Sequence, residues 1–397
     1  MTKKKFVVGL LQLYLILAPI NWVPFLPAQA VNISKYILFT LLIFSTFFPN
    51  GFRIKPYKFF SVTYFFFVLV CTVPAIIMSY DNPLLDILGI LLIFCMNWVI
   101  NNSLLSREEL FRIFYRVTLV IGFICLLSIL SAITGITIKS PEPWNDSFSQ
   151  GALGGYRTGW SNSIFLFVPF VMFYYSANRN KKVKILCVLI LVSIVGSQIL
   201  SGGRSGLIGS LLVFLFFTRF NIKGIITLVI IAFITVKLVT IETIEEHFRA
   251  SDEQIENKKG ESNLDKISSE RIIGYKIGMA LFIKSPLVGY GFGASDYLTD
   301  LEGYSPDIHN TILKRLVDGG ILLVMPLIIL FIFVYKKVIK NIKVHHLSSN
   351  YFLFFRSLFF VAILISMGEP NYLVGSFQGE GFFWALTSTF LLNERSY

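Results

Sequence analysis

Charge is scarce in this chain: 15% of its 397 residues are Asp, Glu, Lys or Arg, while 55% are hydrophobic. That poverty excludes a large water-soluble domain, because so apolar a surface could not stay in solution. Cysteine is scarcer still. Cys71, Cys95, Cys125 and Cys187 all sit in apolar runs, without Cys-x-x-Cys spacing and with no His nearby. This excludes a disulfide framework and a thiolate metal site, and leaves buried thiols. Also lacking are an internal repeat, a low-complexity tract and a linker that would divide the chain, so residues 1–397 read as a single integral membrane domain.

What is present is apolar length. The 40 Phe residues would be an aggregation hazard in water, but in hydrocarbon they are ordinary lipid-facing and interhelical filler. A spanning helix needs roughly 20 apolar residues. That ruler places spans near 6–26, 34–49, 59–78, 84–100, 115–136, 160–177, 185–200, 207–219, 224–241, 311–335, 351–367 and 371–393. The expected fold is an all-α polytopic membrane protein of about twelve transmembrane helices, with the lipid bilayer as its first partner.

The net charge of +12 could suggest nucleic acid, but its distribution argues otherwise. Basic clusters fall at Lys3–Lys5, at Arg53, Lys55 and Lys58, and at Arg107, Arg112 and Arg116. Others fall at Arg179–Lys184, at Arg219 and Lys223, and at Lys336–Lys343. They occupy every second loop, the positive-inside pattern of a multi-pass membrane protein, so no nucleic-acid partner is implied. Lys3–Lys5, an apolar stretch and Pro27-Ala28-Gln29-Ala30 imitate a signal peptide; retention as a first span is the favoured reading.

The same topology puts residues 242–310 outside as a large periplasmic or extracellular loop, with shorter outer segments at 137–159 and 368–381. Within the large loop, apolar residues recur at helical spacing from Ser269 to Lys284, with Ile273, Ile277, Ala280 and Leu281 on one side. The spacing predicts a helix lying on the membrane surface. Pro286 ends it, and Gly289-Tyr290-Gly291-Phe292-Gly293 must then turn sharply. This glycine run is not a dinucleotide fingerprint, because it follows a surface helix and not a strand. Asp296, Asp300 and Asp307 are not spaced as a metal site, so neither metal nor other cofactor is expected.

Three outer-face segments could carry chemistry. Ser201-Gly202-Gly203-Arg204-Ser205-Gly206 sets flexible backbone N–H groups beside a guanidinium, a combination suited to a phosphate oxygen, although a terminal Arg also serves as a snorkelling anchor. Arg271 opens the surface helix on the stripe of Tyr275, Gly278 and Phe282, where it could bind an anion or touch lipid headgroups. Ser305-Pro306-Asp307-Ile308-His309-Asn310 enters the tenth span, with Lys314 and Arg315 one turn deeper and Gly320 on the His309 face. The helix dipole there disfavours protonation of His309 and Asp307 could oppose it; a neutral imidazole could accept a proton.

Together these segments resemble the polytopic O-antigen polymerase and O-antigen ligase family. The resemblance lies in their order: a small-residue tract ending in Arg204, then Arg271 with Gly-Tyr-x-x-Gly and the Ser285-Pro286-Leu287 to Gly293 turn, then His309-Asn310 with Gly320 eleven residues after His309. It covers residues 160 to 335. Gly203 stands where many members have Ser or Thr, and Leu323 where ligases often have a small residue. The resemblance implies a C-type glycosyltransferase fold and metal-independent transfer of glycan from undecaprenyl diphosphate, with the active site on the periplasmic face. It suggests Arg204 and Arg271 as diphosphate ligands and His309 as catalytic base. A chain-length regulator protein joins the undecaprenyl-diphosphate-linked oligosaccharide among the implied partners.

The chemistry is consistent with those residues. A sugar on a lipid diphosphate is already activated, so transfer needs charge stabilisation on the departing diphosphate and removal of a proton from the acceptor hydroxyl. Two Arg forks and a His meet both needs, with Arg157 and Lys276 as helpers and Tyr275 and Asn310 beside them. Glu369 and Glu380, flanking the last outer turn, are candidates to bind sugar hydroxyls. Polymerisation of lipid-linked repeat units is the favoured reading, with ligation to lipid A core as its rival. A flippase is the alternative from another class, disfavoured by the sparse mid-span charge and absent repeat.

Overall fold

The computed structural model describes residues 3–20, 28–47, 92, 95–103, 105–134, 136, 157–201, 204–217, 226, 271–301, 308–344, 347–369 and 380–392. Among these the secondary structure is helical, with no strand. In chain order the helices are α1 (Lys3–Ile20), α2 (Ala28–Phe47), α3 (Arg107–Thr134), α4 (Arg157–Ile164), α5 (Val168–Ala177), α6 (Lys181–Ser201) and α7 (Arg204–Phe217). There follow α8 (Arg271–Lys284), α9 (Ala294–Leu301), α10 (Thr311–Val344), α11 (Ser349–Ser366) and α12 (Glu380–Leu391).

Four of the described helices are long and apolar enough to cross a membrane, with windows inside α3, α6, α10 and α11. The apolar stretches Ile33–Thr46, Ser205–Phe217 and Gly381–Leu391 are shorter. α10 is broken at Gly320, and at 1.5 Å per residue its part beyond the break, 321–344, rises roughly 36 Å, enough for a hydrocarbon layer of about 30 Å. The spans expected near 59–78 and 224–241, and most of that near 84–100, lie outside the described residues. The chain is therefore a polytopic helical membrane protein, with four membrane-crossing lengths among its described residues.

Two sequence expectations shift in detail. Arg107, Arg112 and Arg116 do not sit in a loop: α3 begins at Arg107 and carries all three. Its start is set by a capping box, in which the Ser106 N–H donates to the Glu109 carboxylate at 2.9 Å and the Glu109 N–H to the Ser106 hydroxyl at 3.3 Å, satisfying two otherwise orphaned donors. The span expected at 160–177 is interrupted, since a 3-10 turn at Phe165–Phe167 separates α4 from α5. Pro169, in the first turn of α5, lacks an N–H and so favours a helix start there.

The core is aromatic. Phe111 of α3 packs against Phe170, Phe173, Phe354 and Phe390 of three other helices at centroid separations of 5.5 to 6.3 Å. The Phe side chains thus serve as interhelical filler, in the edge-on and offset contacts that aromatic quadrupoles favour.

One contact brings the head of α7 and the end of α11 to a shared end of the bundle. A Cβ at Gly209 of α7 would meet the Ile365 side chain of α11 at 3.2 Å, so α7 packs closely on the last turn of α11. Arg204 heads α7, and Glu369 follows α11 by three residues.

Candidate functional site

The α8 helix forms where expected, but the face it packs is rotated. Gly274, Gly278 and Leu281 are buried, with Tyr275 and Phe282 packed beside them, whereas Ala280, Met279 and Ile283 are exposed. The reason is close approach: a Cβ at Gly278 would sit 3.0 Å from both Ile308 and Leu313, so the glycine edge lies closest to α10, with Ile277 packed beside it. That rotation turns Arg271 and Tyr275 toward the His309 segment.

The glycine run after α8 is fixed by a break in α10. Gly320 has φ 62° and ψ −163°, which interrupts the helix and leaves backbone groups on either side without helical partners. The turn satisfies them: Tyr290 and Gly291 N–H donate to the Val317 and Asp318 carbonyls at 3.0 and 2.6 Å. In return, Ile321 and Leu322 N–H donate to the Pro286 and Leu287 carbonyls at 2.9 and 3.1 Å. Gly289, with φ 62°, and Gly320 touch backbone atoms of the opposite segment where a Cβ would stand; only glycine suits such a site. Gly320 therefore acts as a backbone hinge and not, as its spacing suggested, as a residue on one helical face with His309; His309 itself precedes the helix.

Beneath this turn lies a buried ion pair. Arg315 donates to the Asp318 carboxylate at 2.8 Å, both side chains being almost fully enclosed. The other carboxylate oxygen accepts the Ser295 N–H at 3.0 Å, and the Arg315 guanidinium lies over Phe292 at 5.9 Å. Asp318 so ties α9 to α10, and the α9 helix itself was not foreseen. Lys314 reaches outward and donates to both Asp296 oxygens at 2.8 and 2.9 Å.

Arg271, Tyr275, His309 and Glu369 are brought together as the candidate site. Arg271 donates to Glu369 at 3.2 Å, with the carboxylate nearly enclosed and the guanidinium about one third exposed. The Tyr275 hydroxyl lies 2.8 Å from the His309 carbonyl and 3.1 Å from that of Met367. The Thr311 hydroxyl donates to the Glu369 carbonyl at 2.8 Å. These bonds fasten α8, the head of α10 and the end of α11 to one another. Asn310 caps α10, its amide oxygen accepting the Leu313 N–H at 3.0 Å.

The His309 ring is half-buried, and its Nδ1 has no hydrogen-bond partner among the described residues. Desolvation lowers its pKa, Arg271 and Lys314 lower it further, and only Glu369 opposes them. The neutral imidazole is thereby favoured, ready to accept a proton. Burial raises the Tyr275 pKa, keeping it a hydrogen-bond donor. Asp307, considered as a partner for His309, lies outside the described residues.

Arg157, Arg204 and Glu380 begin α4, α7 and α12; their side chains lie outside the described residues. Lys276 is exposed, on the far side of α8 from its buried glycines. What the sequence reading missed is the polar seam that seats α7. Ser205 donates to Asn162 of α4 at 2.7 Å, and the buried Gln198 of α6 donates to the Ser161 carbonyl at 3.1 Å while accepting from Ser210 at 2.8 Å. Trp160 donates to Ser197 at 2.8 Å. The signal was present in Gly159-Trp160-Ser161-Asn162-Ser163, a polar run inside an apolar span, which is costly unless paired.

No curated protein matches the chain. Residues 188–328 match the family model described as O-antigen ligase, a stretch that contains Arg204, Arg271, His309 and Gly320. The match supports the O-antigen polymerase and ligase family as the one to which this membrane protein is related.

Proposed function

We propose that the protein is a polysaccharide repeat-unit polymerase, transferring glycan from undecaprenyl diphosphate to a lipid-linked repeat unit by metal-independent, inverting transfer at the outer face of the membrane. The observation that carries the reading is the meeting of a partly open Arg271 with an uncapped, deprotonation-prone His309 on one scaffold. Arg271, with Arg204 at the same end of the bundle, would hold the departing diphosphate through paired hydrogen bonds. His309 would take the proton of the acceptor hydroxyl as that oxygen attacks the anomeric carbon from the side opposite the diphosphate. Glu369 sits on Arg271 and would hand it over to the incoming phosphate.

Ligation to lipid A core is the second reading, favoured by the description of the matching family model. Leu323 supports polymerisation: it is fully buried and packed onto Gly319, filling a position where ligases often carry a small residue. Glycan profiles of a deletion strain decide. A lost polymerase leaves core bearing a single repeat; a lost ligase leaves bare core and lipid-linked polymer. Complementation with His309→Ala should reproduce the deletion profile while the protein still inserts, and normal polymer from that variant would remove His309 from the mechanism.

A further inference from the structure

Four cations gather at the end of the bundle remote from Arg271, where the proposed transfer makes no use of them. Lys336, Lys340 and Lys343 recur at i, i+4 and i+7 along α10, and all three are exposed, so they form one stripe on that helix. Arg356 of α11, also exposed, holds its guanidinium 6.0 Å over the Phe360 ring. Residues 321–366 contain no Asp or Glu. These cations therefore have no carboxylate on either of their own helices to balance them.

The stripe begins at the mouth of an apolar furrow between α10 and α11, whose cavity volume is about 400 Å³. Toward Arg271 the furrow also takes in Arg315, which lies across the Gly320 break and is committed to Asp318. The stretch past the break is apolar until Tyr335 and Lys336. From Val324 to Lys336 it rises roughly 18 Å, a little over half of a hydrocarbon layer of about 30 Å and so the depth of one leaflet. Ile328 and Ile332, at 43% and 49% exposure, line it, while Phe360 forms the facing wall and packs on Tyr335 at 5.3 Å. An amphipathic ring thus stands where apolar wall gives way to charge, the level of lipid headgroups. Orientation in the membrane accounts for the sign of the charge, but not for its placement around an open furrow. We propose that this end of the furrow binds an anionic phospholipid, with its head between Lys336 and Arg356 and an acyl chain along Ile328 and Ile332. A basic pocket between membrane helices favours such a head, whereas a zwitterionic one would bring its own ammonium among the cations. The site stands apart from Arg271 and holds whatever reaction is performed there.

The test uses the full chain in nanodiscs of phosphatidylethanolamine and phosphatidylglycerol, with a trace of either lipid carrying the same photoreactive acyl chain. Phosphatidylglycerol should label 324–336 and 359–363 severalfold more strongly than phosphatidylethanolamine. Lys336→Gln with Arg356→Gln should bring its labelling down to the phosphatidylethanolamine level. Lys336→Arg with Arg356→Lys should keep the preference, which separates charge from any change in folding. Ile328→Trp with Ile332→Trp should lower labelling by both lipids. Equal labelling by the two lipids in the wild type would make the furrow an ordinary bilayer contact. A preference that survives the Gln pair, or is lost in the charge-keeping pair, would place the anionic head elsewhere. A disulfide-linked dimer formed by Ile332→Cys, without lipid labelling, would make the furrow a face for a second copy of the chain. Each of these results overturns the proposal.

Discussion

The hydroxyl of Tyr275 stands 2.8 Å from the carbonyl oxygen of His309, reaching from α8 to the residue just outside the head of α10. The same hydroxyl lies 3.1 Å from the Met367 carbonyl, so a single phenol spans the three segments that build the site. Its role is to hold the backbone of His309, leaving the imidazole unengaged.

Replacing that phenol with phenylalanine keeps the ring and removes the tie. Tyr275→Phe is expected to cost about 0.5–1.5 kcal/mol of stability, the net worth of a typical hydrogen bond. Turnover should fall several-fold while donor KM stays near wild type, because Arg271 is untouched and His309 alone loses its anchor. Steady-state kinetics with lipid-linked repeat units would check this; a rise in KM with turnover preserved would assign Tyr275 to substrate binding instead.

The pH profile follows from the sign of the His309 shift. An ordinary imidazole titrates near 6.5; here burial, Arg271 and Lys314 depress the value. The neutral base therefore persists as pH falls through 6.5, and the acid limb of kcat/KM should lie below that value. Protonation by acid also works against folding, since the unfolded imidazole binds its proton at higher pH than the folded one. Glu369 alone raises the His309 pKa, so Glu369→Gln should move the acid limb lower still, whatever it does to the plateau. An upward movement would show that Glu369 acts on His309 only through Arg271.

Backbone strain gives a third expectation. Gly320 holds φ 62° and touches the Leu287 carbonyl where a Cβ would go. Gly320→Ala adds strain of about 1–3 kcal/mol for the left-handed backbone, and the contact with Leu287 adds to it. Reduced thermal stability in detergent and loss of polymer are expected together. Gly9→Ala serves as the control, because an added Cβ there would meet nothing within 4 Å among the described residues; equal behaviour of the two variants would refute the hinge.

The sequence made the helical class, the α8 helix and the need for a turn at Gly289–Gly293 legible, because hydropathy and Gly/Pro punctuation are local properties. It did not show which edge of α8 packs. Ile273, Ile277, Ala280 and Leu281 stood out as an apolar side, yet of these Leu281 alone is buried, beside Gly274 and Gly278, because small residues let helices approach. The partnership of Ile321 and Leu322, just past the Gly320 break, with Pro286 and Leu287 was illegible for a related reason: hydrogen bonds across more than thirty residues leave no periodic trace. Arg271 and His309 were identified by their order in the chain, but their junction through Glu369 and Tyr275 is tertiary. Asn162 and Gln198 pair only in the tertiary structure, where paired polar groups in an apolar span mark where helices are locked together.

The buried pair of Arg315 and Asp318 supplies the last prediction. Asp318 accepts from Arg315 and from the Ser295 N–H, and its backbone carbonyl accepts the Gly291 N–H, so one residue joins α9, α10 and the glycine turn. Asp318→Asn keeps the shape and removes the charge, weakening the hold on an Arg315 side chain that is 1% exposed. Breaking a buried pair by removing one charge costs about 3–5 kcal/mol. Arg315→Met with Asp318→Leu removes both charges and should recover part of that loss in thermal stability, since a buried pair replaced by apolar residues is often neutral. It should not recover polymerisation, because the Ser295 N–H loses its carboxylate partner and α9 its side-chain tie to α10. Full activity in the double variant would show that the pair serves stability alone and leaves the geometry of the site to the Gly320 hinge.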